Sequence, residues 1–282
     1  MNEYPLFVPC GGEHLAAVLA VPEADPRGLV LLLPALGLGR SHKNRMWTRA
    51  ALSLAERNIA SVRVDFPGHG DSTGATAAGL LDRPALEEAT AVARVARELT
   101  GAEPMGVAGN CYGARTAVAF AQHEDACTSA ALVMAGGFDA LLERRPRSTD
   151  RPPTPERSLR TSARKAVRRA LTRGKRRDGE PRRRFIPEVG QALARTDLLF
   201  VLPAIAKRQD LIREAIENLP ARTGGGAGGH ISVELLRSAN AASANIPVES
   251  QPALVDILTA WMDRTMPGRA PDRAPAALVD EP

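Results

Sequence analysis

Of the three cysteines and five histidines in this 282-residue chain, one cysteine stands where its neighbours could make it reactive. Residues 105–116 read Met-Gly-Val-Ala-Gly-Asn-Cys-Tyr-Gly-Ala-Arg-Thr. A short apolar run meets Gly109-Asn110-Cys111-Tyr112-Gly113 and passes into a small-residue helical pattern, which predicts strand, sharp turn and helix with Cys111 at the apex. Serine enzymes place their nucleophile in the same layout, G-x-S-x-G, and this chain has G-x-C-x-G. Flanking glycines give room for a strained turn and for close passage of strand and helix. A helix N-terminus behind Cys111 favours a thiolate and offers backbone N–H groups to an oxyanion. Alone, the five residues fit a buried structural cysteine in a Gly-rich turn equally well. The strand and helix patterns on either side tip the reading to a reactive one.

Holding such a turn takes alternating strands and helices. Residues 15–21 and 28–33 read as strands divided by a Pro22/Pro26 turn, the second an unbroken apolar run suited to a sheet interior. A Gly-containing loop, 34–39, follows. Trp47, Ala51, Leu54 and Ala55 repeat at helical spacing, and residues 60–65 form a strand that ends in Phe66-Pro67-Gly68-His69-Gly70-Asp71-Ser72. Strand, helix, strand predicts a right-handed crossover. Leu86, Ala89, Ala93, Ala96 and Leu99 mark a helix beginning near Asp82 or Arg83, ahead of Pro84. Beyond the elbow helix, residues 130–134, 198–202 and 231–236 read as strands and 211–219 as a short helix. The last helix starts at Ser250 before Pro252, with Leu254, Ile257, Leu258 and Trp261 along one face.

With 44% hydrophobic residues the chain can bury a substantial core. It has no apolar run of transmembrane length, and its first residues lack the basic and apolar regions of a secretory signal. A cytoplasmic protein is the expectation. The spacing of Cys10, Cys111 and Cys127 suits neither a zinc site nor a disulfide framework, so free thiols, no metal and no cofactor are expected. Charge is uneven. Residues 144–184 hold 17 Lys and Arg against 4 Asp and Glu, a net of +13, which leaves the remainder at −8 although the whole chain is +5. Such a block is typical of solvated linkers, and it also attracts phosphates or an acidic protein. No aromatic residue lies between Glu143 and Phe185 to stack on bases, which argues against nucleic acid.

The element order, the elbow in mid-chain and the amphipathic final helix together resemble the α/β-hydrolase superfamily. Pro9-Cys10-Gly11-Gly12, Gly39-Arg40-Ser41-His42, the Asp65 to Ser72 run and the cysteine elbow are most similar to the serine-aminopeptidase-like and exosortase-associated hydrolases. The resemblance implies a mostly parallel central sheet flanked by helices. Its core would be residues 1–136 and 196–266, with a basic cap inserted at 137–195 and a loose tail at 267–282. Cysteine elbows on this fold resemble those of dienelactone hydrolases, polyhydroxyalkanoate synthases and aminoacyl transferases, which pass an acyl group through a thioester. Carried across, Cys111 is the nucleophile and the backbone N–H groups of Tyr112 and Leu36 are the oxyanion donors. His42, just past the oxyanion loop, would line the pocket.

The resemblance fails at the general base. Where the family has histidine after the last strand, this chain reads Ser238-Ala239-Asn240-Ala241-Ala242-Ser243, with Ala241 at the histidine position. His230 is the nearest alternative, but it precedes that strand and so would lie roughly 20 Å from the catalytic edge. For the acid, Asp210 follows the next-to-last strand and Asp139 is the substitute; each is equally a helix cap or a solvated charge. His69 is expected to be structural, and His14 and His123 to be surface or packing residues.

A cysteine at a helix N-terminus can ionise without a base and accept an acyl group from a thioester. Hydrolysis of the product is harder, because water forgoes a general base worth roughly 10²–10⁴-fold. The expected function is therefore acyl transfer, or ester or thioester hydrolysis, by Cys111 on a small acyl substrate carried by coenzyme A or an acyl carrier protein. Two alternatives remain. One is a binding or non-hydrolytic protein on the same fold, and the other an anion- or carrier-protein-binding protein acting through residues 144–184.

Overall fold

The computed structural model describes residues 1–75, 83–134, 189, 191–203, 229–236 and 246–266. Asp139, Asp210, Ala241, the basic block 144–184 and the tail 267–282 lie outside the described residues, as does the expected helix at 211–219.

The chain opens with a hairpin of β1 (Asn2–Cys10) and β2 (Glu13–Val21), followed by β3 (Leu29–Leu33), α1 (Met46–Ala55) and β4 (Ala60–Val64). Then come α2 (Leu86–Thr100), β5 (Met105–Asn110), α3 (Tyr112–His123), β6 (Cys127–Val133), β7 (Asp197–Pro203), β8 (Ile231–Leu236) and α4 (Gln251–Thr265). The strands form one sheet in the order β1-β2-β4-β3-β5-β6-β7-β8, antiparallel at its first two pairings and parallel from β4 onward. This is the α/β-hydrolase architecture that the sequence predicts.

The parallel strands are apolar throughout because both faces are covered. Leu29, Leu31 and Leu33 of β3 pack with Val92 and Ala96 of α2 and with Val118 and Phe120 of α3. Val30 and Leu32, on the other face, pack with Trp47 and Leu54 of α1 and with Leu258 and Trp261 of α4. Truncating one such fully buried leucine to alanine costs about 2–5 kcal/mol. Arg63 of β4 is a buried charge. Its guanidinium bonds Thr48 of α1 and Glu3 of β1, joining the first strand to the α1 face.

Sequence patterning does not reveal β1. Most of its side chains are exposed, Tyr4 and Phe7 among them, and Pro5 and Pro9 interrupt it. Gly11 and Gly12, both at positive φ, make the two-residue turn that folds it onto β2. Cys10 and Glu13 close that turn, so the residues of β1 alternate between facing β2 and facing outward. His14 N–H donates to Thr73 Oγ1 and its C=O accepts the Thr73 N–H, away from β1, so its partner Pro9 belongs to the outward-facing set with Phe7, Pro5 and Glu3. Both prolines therefore stand where no ladder hydrogen bond is lost.

The core resumes before residue 196. Val189, Ala192 and Leu193 are buried in the α2/α3 face, and Thr196 Oγ1 donates to the Cys127 carbonyl at 2.9 Å. The end of the segment assigned to the cap thus belongs to the core. No helix among the described residues is long and apolar enough to cross a membrane.

Candidate active site at the elbow

Cys111 sits at φ 54, ψ −106 between β5 and α3, a conformation that L residues rarely adopt. Its backbone is fixed from both sides: the N–H donates to the Val133 carbonyl at 2.9 Å, and the carbonyl accepts from Ala114 N–H at 3.2 Å. The flanking glycines are needed for their lack of a side chain. A Cβ on Gly109 would lie 2.1 Å from the Gly113 carbonyl oxygen, and one on Gly113 would lie 2.5 Å from that of Leu33. Strand, turn and helix thus pass at backbone contact, as the sequence pattern predicts.

The thiol is half-buried and free. No described imidazole or carboxylate is hydrogen-bonded to it. Tyr112 begins α3, so its N–H has no intrahelical acceptor. Its side chain points away, with the phenol donating to the Arg83 carbonyl at 2.9 Å and the ring edge-on to Phe66. Burial pushes that phenol up to about 12. Leu36 lies in the loop after β3, and its N–H bonds no described residue. The structure thus brings Cys111, Tyr112 and the Leu36 loop to the carboxyl ends of the central strands.

His42 joins this edge. Its Nε2 lies 2.9 Å from Nδ2 of Asn110, the residue preceding Cys111, and both side chains are buried. Burial pushes the imidazole down to about 4; the Lys43 backbone opposes the shift and the Lys43 ammonium adds to it. Sequence reasoning places His42 near the pocket but does not find Asn110 as its partner, since the two are 68 positions apart.

His230 belongs elsewhere. Ile231 pairs with Leu198 at the start of β7, whereas Asn110 is level with Val133, Val201 and Glu234. His230 therefore sits about 17 Å nearer the opposite edge than Cys111, and three strands across. Its N–H donates to Asp197 at 2.6 Å and its ring stacks on Trp261. His69 Nδ1 bonds the Pro67 carbonyl at 3.0 Å, consistent with a structural role in its turn. No His, Cys, Asp and Glu cluster among the described residues could hold a metal ion.

Sequence reasoning quotes Asp65 and Arg40 within their motifs but does not pair them. The fully buried Asp65 carboxylate accepts the Arg40 N–H at 2.5 Å and the Asp71 N–H at 3.1 Å, and it pairs with the Arg40 guanidinium. It holds the end of the Leu36 loop against the end of β4.

The sheet order and the strand–elbow–helix at Cys111 define an α/β-hydrolase-fold protein. The chain belongs to the alpha/beta hydrolase family, whose family model matches residues 30–280. Comparison with curated proteins gives no match. Among solved structures it is similar to a thermostable carboxyl esterase from Bacillus coagulans in complex with glycerol, at 12% identity and TM-score 0.62, over 94% of this chain and 99% of that one. It is similar to ferulic acid-bound Est1E from Butyrivibrio proteoclasticus, at 14% identity and TM-score 0.59, over 93% and 99%. It is also similar to XC6422 from Xanthomonas campestris, described as an a/b serine hydrolase without lid, at 16% identity and TM-score 0.58, over 95% and 97%.

Proposed function

We propose that Cys111 is an acyl-accepting nucleophile, and that the protein transfers acyl groups or hydrolyses an acyl ester or thioester. The observation that carries this is the position of Cys111 at φ 54, ψ −106 between two glycines that admit no Cβ. Such strain persists only where surrounding structure imposes it, and it clusters at functional sites. In the proposed reaction the Cys111 thiolate attacks the acyl carbonyl carbon. The Tyr112 and Leu36 N–H groups hold the resulting oxyanion, and its collapse expels an alcohol or thiol and leaves a thioester on Cys111. A second nucleophile, water or an acceptor thiol or amine, then takes the acyl group and regenerates the thiol.

With Ala241 at the position the family gives to histidine, water has no base there, which favours an acceptor that is itself a good nucleophile. A coenzyme A or acyl-carrier-protein thioester fits as donor, because the +13 block at 144–184 would attract its phosphates or acidic surface. In this reading the part of the 137–195 segment that precedes Val189 caps the pocket. The three free cysteines suit a reducing compartment, the cytoplasm.

Intact-mass measurement after incubation with butyryl-coenzyme A and with p-nitrophenyl butyrate tests the reading. A butyryl adduct on Cys111, absent from Cys111→Ala, is expected. No adduct, or one that persists in the variant, overturns it. A second reading, a binding protein without covalent chemistry, draws on the absence of any described imidazole bonded to Cys111. It expects Cys111→Ala to retain biological activity.

A further inference from the structure

The loop from His42 to Arg45 is strained around one buried hydrogen bond. His42 lies at φ 60, ψ 175, a region left almost entirely to glycine, and Asn44 and Arg45 follow at φ 54 and 56. Backbone bonds hold the loop in place: His42 N–H donates to the Gly39 carbonyl at 2.8 Å and Trp47 N–H to that of Ser41 at 3.1 Å. The His42 ring stands edge-on to Trp47, with centroids 5.8 Å apart. Its Nε2 lies 2.9 Å from the Asn110 amide nitrogen.

With the Asn110 amide nitrogen turned toward the ring, His42 Nε2 accepts, and a neutral ring then carries its hydrogen on Nδ1. The one in-plane lone pair of the ring is then engaged by Asn110, and burial keeps the ring neutral. The Asn110 Oδ1 is buried without a partner among the described residues, an arrangement retained at the expense of a hydrogen bond.

The two proposed oxyanion donors stand on separate elements, Leu36 on the loop after β3 and Tyr112 on α3. Both N–H groups meet one oxygen only if loop and elbow keep their register to within about 0.5 Å. Building on the acyl-acceptor reading of Cys111, we propose that His42 is a positioning residue: as a neutral imidazole protonated on Nδ1 it accepts from Asn110, and so fixes the Leu36 loop against the elbow.

Acylation of Cys111 by p-nitrophenyl acetate needs an oxyanion site, whereas alkylation by iodoacetamide builds no oxyanion. The His42→Ala variant should lose about 10–100-fold in acetylation rate while alkylation stays within about three-fold of wild type. His42→Gln, whose Oε1 still accepts from Asn110, should restore acetylation. Asn110→Ala should match His42→Ala, and the double variant should be no slower. Unchanged acetylation in His42→Ala, or alkylation falling in step with it, overturns the proposal. Independently of any variant, imidazole nitrogen shifts of the wild-type protein at pH 7 should report the Nδ1–H tautomer; an Nε2–H or imidazolium form overturns it too. A wild-type protein that takes no acetyl group sinks the acyl-acceptor reading and the positioning role with it. Acetylated wild type with indifferent His42 variants sinks the positioning role alone.

Discussion

The buried carboxylate of Asp65 holds Arg40 twice, through its backbone N–H and through its guanidinium. The Leu36 loop is thereby clamped at its far end to β4, while the His42–Asn110 contact ties the residues just beyond it to β5. Removing the carboxylate leaves Arg40 with the exposed Asp71 as its partner among the described residues. Asp65→Ala should cost about 3 kcal/mol, within the usual range for breaking a buried pair. Urea unfolding at pH 7 checks it, and a loss below about 1 kcal/mol would show that the loop is held by other contacts.

Strain at the elbow sets stability against chemistry. Glycine adopts φ 54, ψ −106 freely, so Cys111→Gly should raise stability by about 1 kcal/mol, the strain released less the added freedom of the unfolded chain. The same variant should take no acyl adduct. Parallel urea melts of Cys111→Gly and Cys111→Ala decide the matter, since alanine keeps the strain.

His42 makes the fold sensitive to acid. Its folded pKa, about 4, lies below the ordinary 6.5. The unfolded chain therefore binds the proton first. Stability from this group is intact above about pH 6.5 and declines as pH falls toward 4, by a limiting amount of about 3 kcal/mol. Measured between pH 7 and 4.5, wild type should lose more stability than His42→Gln. Equal losses would mean that the imidazole is neither buried nor neutral.

His230→Ala should leave acylation of Cys111 within about two-fold of wild type, because the ring stacks on Trp261 at the opposite edge of the sheet. A larger fall in the rate of p-nitrophenyl acetate turnover would mean that β8 is placed in a different register.

The parallel core is readable because it has a simple cause. Strands covered on both faces must be apolar along their whole length, and 29–33, 60–64 and 198–202 say so directly. The elbow is legible for a similar reason: Gly109 and Gly113 are spaced as close backbone passage demands. Hairpin strand β1 hides because most of its residues answer to solvent and two are proline. The site's polar contacts hide because they are long-range. Nothing local to His42 points to Asn110, and nothing local to Asp65 points to Arg40. Each pairing exists only once the sheet sets β3, β4 and β5 side by side.

Proline at positions 5 and 9 has one more effect. Along the outer margin of β1 only Glu3 and Phe7 keep an N–H to offer another strand, too few and too far apart to seed a continuous ladder. Among the described residues the sheet ends at β1 on one side and β8 on the other, so the prolines close the β1 margin to growth by strand addition.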